Sequence, residues 1–232
     1  MHENETLREC WFEAYNGIIG QVDFPYVQLV AVKVIAELTD RKSSFPNRML
    51  GNRLLFSLIH NCGELAIDED RTVLRLLMQI CGDTNYKIRT EGSIFIKEYI
   101  RNNYKSLLEG NRLESTYIPE ICEMCNDEEI FIRVEAVEAL SYVLETLDAE
   151  LLEKEFIPPL LKLLESNHDE IVIRMSKIVG QLAHKLQAHE APLLAKYKDE
   201  FIAFYKMICV HRCEECRENA AFNLPAMNLI FR

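Results

Sequence analysis

Glycine and proline are scarce, with eight and seven in 232 residues and few of them clustered. An all-β chain needs such residues at every turn, and a disordered one accumulates proline and polar tracts, so both architectures are argued against. Basic residues are in deficit too, 26 against 37 acidic, leaving a formal net charge of −11. A chain so charged gains nothing by neutralising phosphates, so neither nucleic acid nor an anionic membrane is an expected partner. A basic surface or segment on another protein suits it better. No run approaches the roughly 18 apolar residues a membrane helix needs, and Met1–Thr6 followed by the charged Leu7–Gln21 has no signal-peptide character. The sequence holds no glycine-rich phosphate loop, no Gly-x-Ser-x-Gly elbow and no kinase motif set, so no catalytic residue and no cofactor are expected. Of eight cysteines, Cys10, Cys62, Cys81, Cys122, Cys125 and Cys209 are placed on apolar helical faces. They read as reduced core thiols of a cytoplasmic or nuclear protein.

What the chain does have is a repeat. From Thr116 to Leu186 a helical hairpin is followed by a second copy of itself. Tyr117-Ile118-Pro119 opens the first, Asp127-Glu128-Glu129 turns it, and Ile132-Arg133-Val134 restarts it; Phe156-Ile157-Pro158, Asn167-His168-Asp169 and Ile173-Arg174-Met175 do the same in the second. Pro119 and Pro158 are 39 residues apart, and Arg133 and Arg174 are 41 apart. A two-helix unit at this period marks a HEAT or armadillo solenoid. Ile157, Leu160, Leu161 and Leu164 make one apolar stripe, and Met175, Ile178, Val179, Leu182 and Leu186 another. A lone hairpin cannot bury two stripes, so neighbouring hairpins must stack.

The arginine register extends along the chain as Arg48, Arg89, Arg133, Arg174 and Arg217, with Gly51, Gly92, Ala136, Lys177 or Ala220 three residues after each. A small residue in four of five layers fits close approach of helices. Each arginine is placed to pair with its turn's acid or to satisfy helix-end backbone groups. The expected fold is all-α, a HEAT-type α-solenoid of antiparallel helix pairs filling residues 1–232 as a single domain. It comprises an orphan helix at 4–20, about four full repeats at 26–63, 69–104, 116–148 and 155–187, and a final pair at 192–231. The orphan helix has an unpartnered apolar face, as in a capping element or a truncated chain. Gly63 is expected to cap the helix before it, and Asn102–Glu114 to be a polar connection.

Three clusters invite a chemical reading. Cys209, His211, Cys213 and Cys216 could supply four zinc ligands. Since Cys209 ends one helix and Cys216 starts the next, a loop with adventitious thiols is the simpler reading and no metal is expected. Cys122-x2-Cys125 occupies two apolar positions of a helix, not the helix start a redox pair uses. Asp127–Glu155 holds ten acids facing only Arg133 and Lys154. It reads as a solvated face or, functionally, as an acidic docking band.

These repeats resemble the scaffold (A) subunit of type 2A protein phosphatases and, more closely, the regulatory subunits of protein phosphatase 4. The resemblance is carried by Leu7-Arg8-x2-Trp11-x-Glu13, Tyr117-Ile118-Pro119-Glu120, Arg133-Val134-x-Ala136, Leu144-x2-Leu147-Asp148 and Phe201-x2-Phe204-Tyr205-Lys206-x-Ile208-Cys209. Most specific is Arg217-x-Asn219-x-Ala221-Phe222-Asn223-Leu224-Pro225-Ala226-Met227, because proline inside a repeat's second helix is unusual. The resemblance implies a non-catalytic subunit, monomeric by itself, that binds a phosphatase catalytic subunit of type 4 or the related type 2A. It implies docking along the turns between paired helices. Carried onto this chain, that ridge is Phe45, Asn47, Asn85, Lys87, Glu128, Glu129, Phe131, Asp169 and Glu170. Phe131 serves equally as a hydrophobic staple onto the next turn. The alternative is an importin-like or adaptor solenoid that binds basic partners through the acidic band.

Overall fold

The computed structural model describes residues 5–19, 21–22, 26, 28–62, 71–109, 117–189 and 191–230. Among these, helices and turns account for every element and no strand occurs. Two compact units form, Met1–Phe95 and Ile96–Arg232, with the division falling inside one helix.

The first unit contains α1 (Glu5–Ile19), α2 (Lys33–Thr39) entered through a π-helical turn at Gln28–Val32, α3 (Phe45–Cys62), α4 (Arg71–Cys81) and the start of α5 (Tyr86–Glu109). Its core is Ile35, Leu55, Leu58, Ile59, Val73 and Leu77, each with no exposed surface. Full burial of one such side chain is worth roughly 1.5–3 kcal/mol. The small residues act where the register places them. A Cβ on Gly51 would sit 2.7 Å from Thr39 Cγ2, and one on Gly92 3.0 Å from Ile80 Cγ2 and 3.1 Å from Cys81 Sγ. Glycine is therefore what lets the second helix of each pair lie against the first. The apolar face of α1 is largely uncovered, with Leu7, Trp11 and Ile18 57–67% exposed. It borders an apolar depression of about 680 Å³ that Val30, Val34 and Leu54 also line.

The second unit continues through the rest of α5, then α6 (Ile118–Met124), α7 (Ile130–Tyr142) and α8 (Ile157–Leu164), the last entered by helical turns at Ala149–Leu151 and Leu152–Phe156. It closes with α9 (Asp169–His189), α10 (Ala191–Lys196), α11 (Lys198–Cys209) and α12 (Glu214–Ile230). Pro119 and Pro158 lie in the first turns of α6 and α8, where a missing N–H costs least. Ile157, Leu160, Met175, Val179 and Leu182 are buried as the stripes require.

Several details depart from the expectation. Leu163 is fully buried, while Leu161, placed on the stripe, is only half-buried. α7 ends at Tyr142, and Leu144–Thr146 is a 3-10 turn that still buries Leu144 and Leu147. α5 runs to Glu109, so the expected connection at 102–114 is helix as far as Glu109. Cys10 and Cys209 are exposed, not core, while Cys81, Cys122, Cys125 and Cys216 are buried. Gly63 lies outside the described residues. Pro225 sits inside α12, where it withholds the amide that the Ala221 carbonyl would take; the Tyr205 hydroxyl donates to the neighbouring Ala220 carbonyl at 2.8 Å.

Candidate functional site

Four of the five turns that precede a register arginine are closed by that arginine. Arg48 Nη1 donates to the Ser43 carbonyl at 2.9 Å, and Arg89 Nη1 to the Asp83 carbonyl at 2.9 Å. Arg133 Nη1 reaches the Asp127 and Glu128 carbonyls at 2.6 and 3.1 Å, and Arg217 Nη1 the His211 and Arg212 carbonyls at 2.6 and 3.0 Å. These charge-assisted bonds satisfy carbonyls five or six residues upstream, which a sharp bend leaves without helical partners. In three of these turns the residue six before the arginine also accepts an N–H two residues on. Asp83 takes it from Asn85 at 2.7 Å, Asp127 from Glu129 at 2.8 Å, and His211 Nδ1 from Cys213 at 3.2 Å. This is an Asx-type turn, and in the last layer a histidine does the aspartate's work.

That geometry gives His211 a structural role in its turn. Its Nδ1 is occupied, its Nε2 lies 3.8 Å from Asp169 Oδ1, and Cys209 is exposed beside the Tyr205 hydroxyl. Among the described residues no three His, Cys, Asp or Glu side chains converge as metal ligands would. Cys213 and Cys216 are the two of the four that meet.

The turns are also tied to one another within each unit. In the first unit Arg48 Nε pairs with Asp83 Oδ2 at 3.1 Å, and Arg41 donates to the Gly82 carbonyl at 3.1 Å. In the second the Phe131 ring meets the His168 ring edge-on at 5.4 Å, and Arg212 pairs with Asp169. Of the ridge positions in the first unit, Phe45 opens α3 at 36% exposure and Asn47 is half-buried two residues on. Asn85 caps α5 by accepting the Lys87 N–H at 3.0 Å, and Lys87 is exposed. In the second unit Glu128 and Glu170 face solvent, Glu129 is the N-cap of α7, Phe131 is spent on His168, and Asp169 is held by Arg212. Within each unit the exposed turn positions are thus charged side chains, Lys87 in the first and Glu128 and Glu170 in the second, over internally bonded turns.

The acidic band breaks up. Glu135 is 6% exposed and Glu138 half-buried. Arg174 binds Glu138 through two bonds of 2.8 and 2.7 Å and Glu135 at 2.7 Å, and Lys97 reaches Glu135 at 2.6 Å and Glu138 at 3.3 Å. Burial alone would raise the Glu135 carboxyl, but the Arg174 and Lys97 bonds hold it below the ordinary range. Glu150 pairs with Lys154 at 2.5 Å, and Glu153 with Lys196. The reading from sequence saw only Arg133 and Lys154 as counter-charges. The others come from neighbouring layers, which no local spacing reveals.

No family model matches the chain. It is 21% identical to human serine/threonine-protein phosphatase 4 regulatory subunit 4 and 23% identical to the mouse protein of the same name. Each alignment covers 97% of this chain and 28% of the relative, so the chain spans little more than a quarter of those proteins. Among solved structures it is similar to computationally designed armadillo repeat proteins for modular peptide recognition, with a TM-score of 0.58 at 16% identity over 97% of this chain and 95% of that one. A designed armadillo repeat protein in complex with the peptide (KR)4 matches equally, with a TM-score of 0.58 at 16% identity over 98% and 95%. These likenesses support the fold alone. Paired helices within each unit, no strand among the described residues, and a sequence match along almost the whole chain lead to one conclusion: this is an all-α helical-repeat protein similar in sequence to the phosphatase 4 regulatory subunit 4 proteins.

Proposed function

We propose that this chain is a non-catalytic scaffold that binds a serine/threonine phosphatase catalytic subunit, of the protein phosphatase 4 type, along its inter-helix turns. The observation that carries this is the match over 97% of the chain to relatives named as regulatory subunits. The ridge geometry supports it. Bonds within and between turns pre-organise the backbone, so docking costs little ordering entropy, and Lys87, Glu128 and Glu170 stand outward as the groups that would set specificity. The reading places the protein in the cytoplasm or nucleus; no helix among the described residues is long and apolar enough to cross a membrane.

The test is direct binding of the purified chain to purified catalytic subunits of phosphatases 4 and 2A. Phosphatase 4 is expected to bind, and Glu128→Lys with Glu170→Lys should weaken it roughly tenfold or more, mostly through the on-rate. Absence of binding to either catalytic subunit would refute the reading. Salt-sensitive binding of a Lys-Arg peptide instead would favour the adaptor alternative, which the net charge of −11 and the (KR)4 complex of the designed relative make reasonable.

A further inference from the structure

The chain carries two Cys-x2-Cys pairs, and the structure puts them in opposite surroundings. Cys122 and Cys125 lie at the end of the short helix α6, at 8% and 1% exposure. Burial, and then the charge of Glu155, pushes the Cys122 thiol up to about 11. Cys125 is raised further, by burial first and then by Cys122. Thiols that stay protonated and covered are inert.

Cys213 and Cys216 are placed otherwise. Cys213 is half-buried, immediately before the first residue of α12, and Cys216 is the third residue of that helix. This is the spacing and the position used by dithiol–disulfide motifs, where the helix N-terminus favours the thiolate. The two side chains are within hydrogen-bonding reach of each other, and Cys216, fully covered, also meets the Ser176 hydroxyl. The turn holding Cys213 is fixed from both ends, by its own N–H on His211 Nδ1 at 3.2 Å and by Arg217 on the His211 and Arg212 carbonyls. Glu214 and Glu215 lie between the two cysteines, and Lys177 pairs with Glu215 at 2.8 Å.

We propose that Cys213 and Cys216 form a thiol–disulfide site, oxidised by a small-molecule disulfide such as oxidised glutathione. The Cys213 thiolate attacks one sulfur of the oxidant, breaking its S–S bond and releasing one thiol. Cys216, its proton leaving, attacks the Cys213 sulfur of the mixed disulfide and releases the second thiol. The pair loses two electrons and two protons, and the oxidant gains both. Burial holds Cys216 above the ordinary thiol range, which suits a resolving role and leaves the accessible Cys213 as the attacking sulfur. The link closes over the ridge turn of the last layer and draws the Cys216 sulfur from Ser176. The inference is independent of the phosphatase reading.

The experiment treats the folded, reduced full chain with oxidised glutathione, quenches with acid and digests with trypsin. Cleavage at Arg212 and Arg217 yields one peptide, Cys213–Arg217, holding both sulfurs. It is expected to lose two hydrogens in mass, roughly tenfold or more faster than the peptide holding Cys122 and Cys125. In Cys216→Ser the reaction should stop with glutathione on Cys213, and in Cys213→Ser Cys216 should stay a thiol; circular dichroism confirms that both variants keep their helices. The proposal fails if the Cys213–Arg217 peptide stays reduced, if Cys122–Cys125 closes equally fast, or if wild-type Cys213 accumulates glutathione to the level of Cys216→Ser.

Discussion

Glu91 and Glu135 hold the same station in consecutive repeats, two residues after Arg89 and Arg133, yet their carboxyls shift in opposite directions. In the first unit Glu91 is half-buried beside the Asn52 amide, and burial raises it against the weaker pull of Asn52 and Arg53. In the second unit Glu135 is more deeply covered but meets Arg174 and Lys97, and it is lowered. Their surroundings follow the same division. The first unit joins its layers here with the stacked rings of Phe56 and Phe95, 4.2 Å apart and 7° from parallel, and Arg53 covers Phe12 at 4.1 Å while pairing with Glu9. The second joins its layers with charge, then with amides, Asn219 donating to the Ser176 hydroxyl and Asn223 to the Ser176 carbonyl at 2.9 and 2.7 Å. One backbone repeat thus accepts different chemistry between its layers, provided each buried charge finds a partner.

The difference can be broken most forcefully at Glu135. Glu135→Ala leaves Arg174 and Lys97 half-buried with one carboxylate between them and should cost about 3–5 kcal/mol in urea unfolding; a loss near zero would show that solvent already neutralises the network. Next comes Arg133, which closes a turn, set against Arg174, which is diverted to the preceding layer. Arg133→Met removes two bonds from a charged donor and is expected to cost about 1.5–3 kcal/mol, with little dependence on salt because its acceptors are carbonyls. A double-mutant cycle on Phe56 and Phe95 should return about 0.5–1.5 kcal/mol of coupling, unchanged by added salt. A coupling that falls with salt would mean Arg53, not the ring pair, holds that interface.

The smallest effect is the most discriminating, because its sign differs between units. Glu91 has a folded value above its unfolded 4.5, so the folded state keeps a proton that the unfolded chain has lost. Stability therefore falls as pH rises from 4.5 through the folded value, and Glu91→Gln should be relatively stabilising at neutral pH. Glu135 has a folded value below 4.5, so its contribution is present above 4.5 and lost as pH falls through the folded value. Melting temperatures of Glu91→Gln and Glu135→Gln from acid to neutral pH should diverge from wild type in opposite directions.

Much of the architecture was legible in advance. The Ile-Pro starts, the arginine register and the small residues three positions on are local signals, and local backbone preference with 3.6-residue periodicity is enough to read them. The inter-helix turns were locatable for the same reason, since they fall between the stripes. Arg174 looked identical to its four counterparts, yet it leaves its own turn for Glu135 and Glu138. The acids at 135 and 138 looked like solvent-facing charge. In each case the partner lies one layer away, about 40 residues along the chain, where spacing carries no information.

From residues alone came the helices, their pairing and the turns between them, because a stripe that cannot be buried by one hairpin leaves stacking as the favourable outcome. Which charges are neutralised, which ring covers which turn, and which of two identical cysteine pairs meets solvent were settled only when layer met layer. Burial and distance to a counter-charge belong to the packed molecule, and no position in a chain possesses them beforehand.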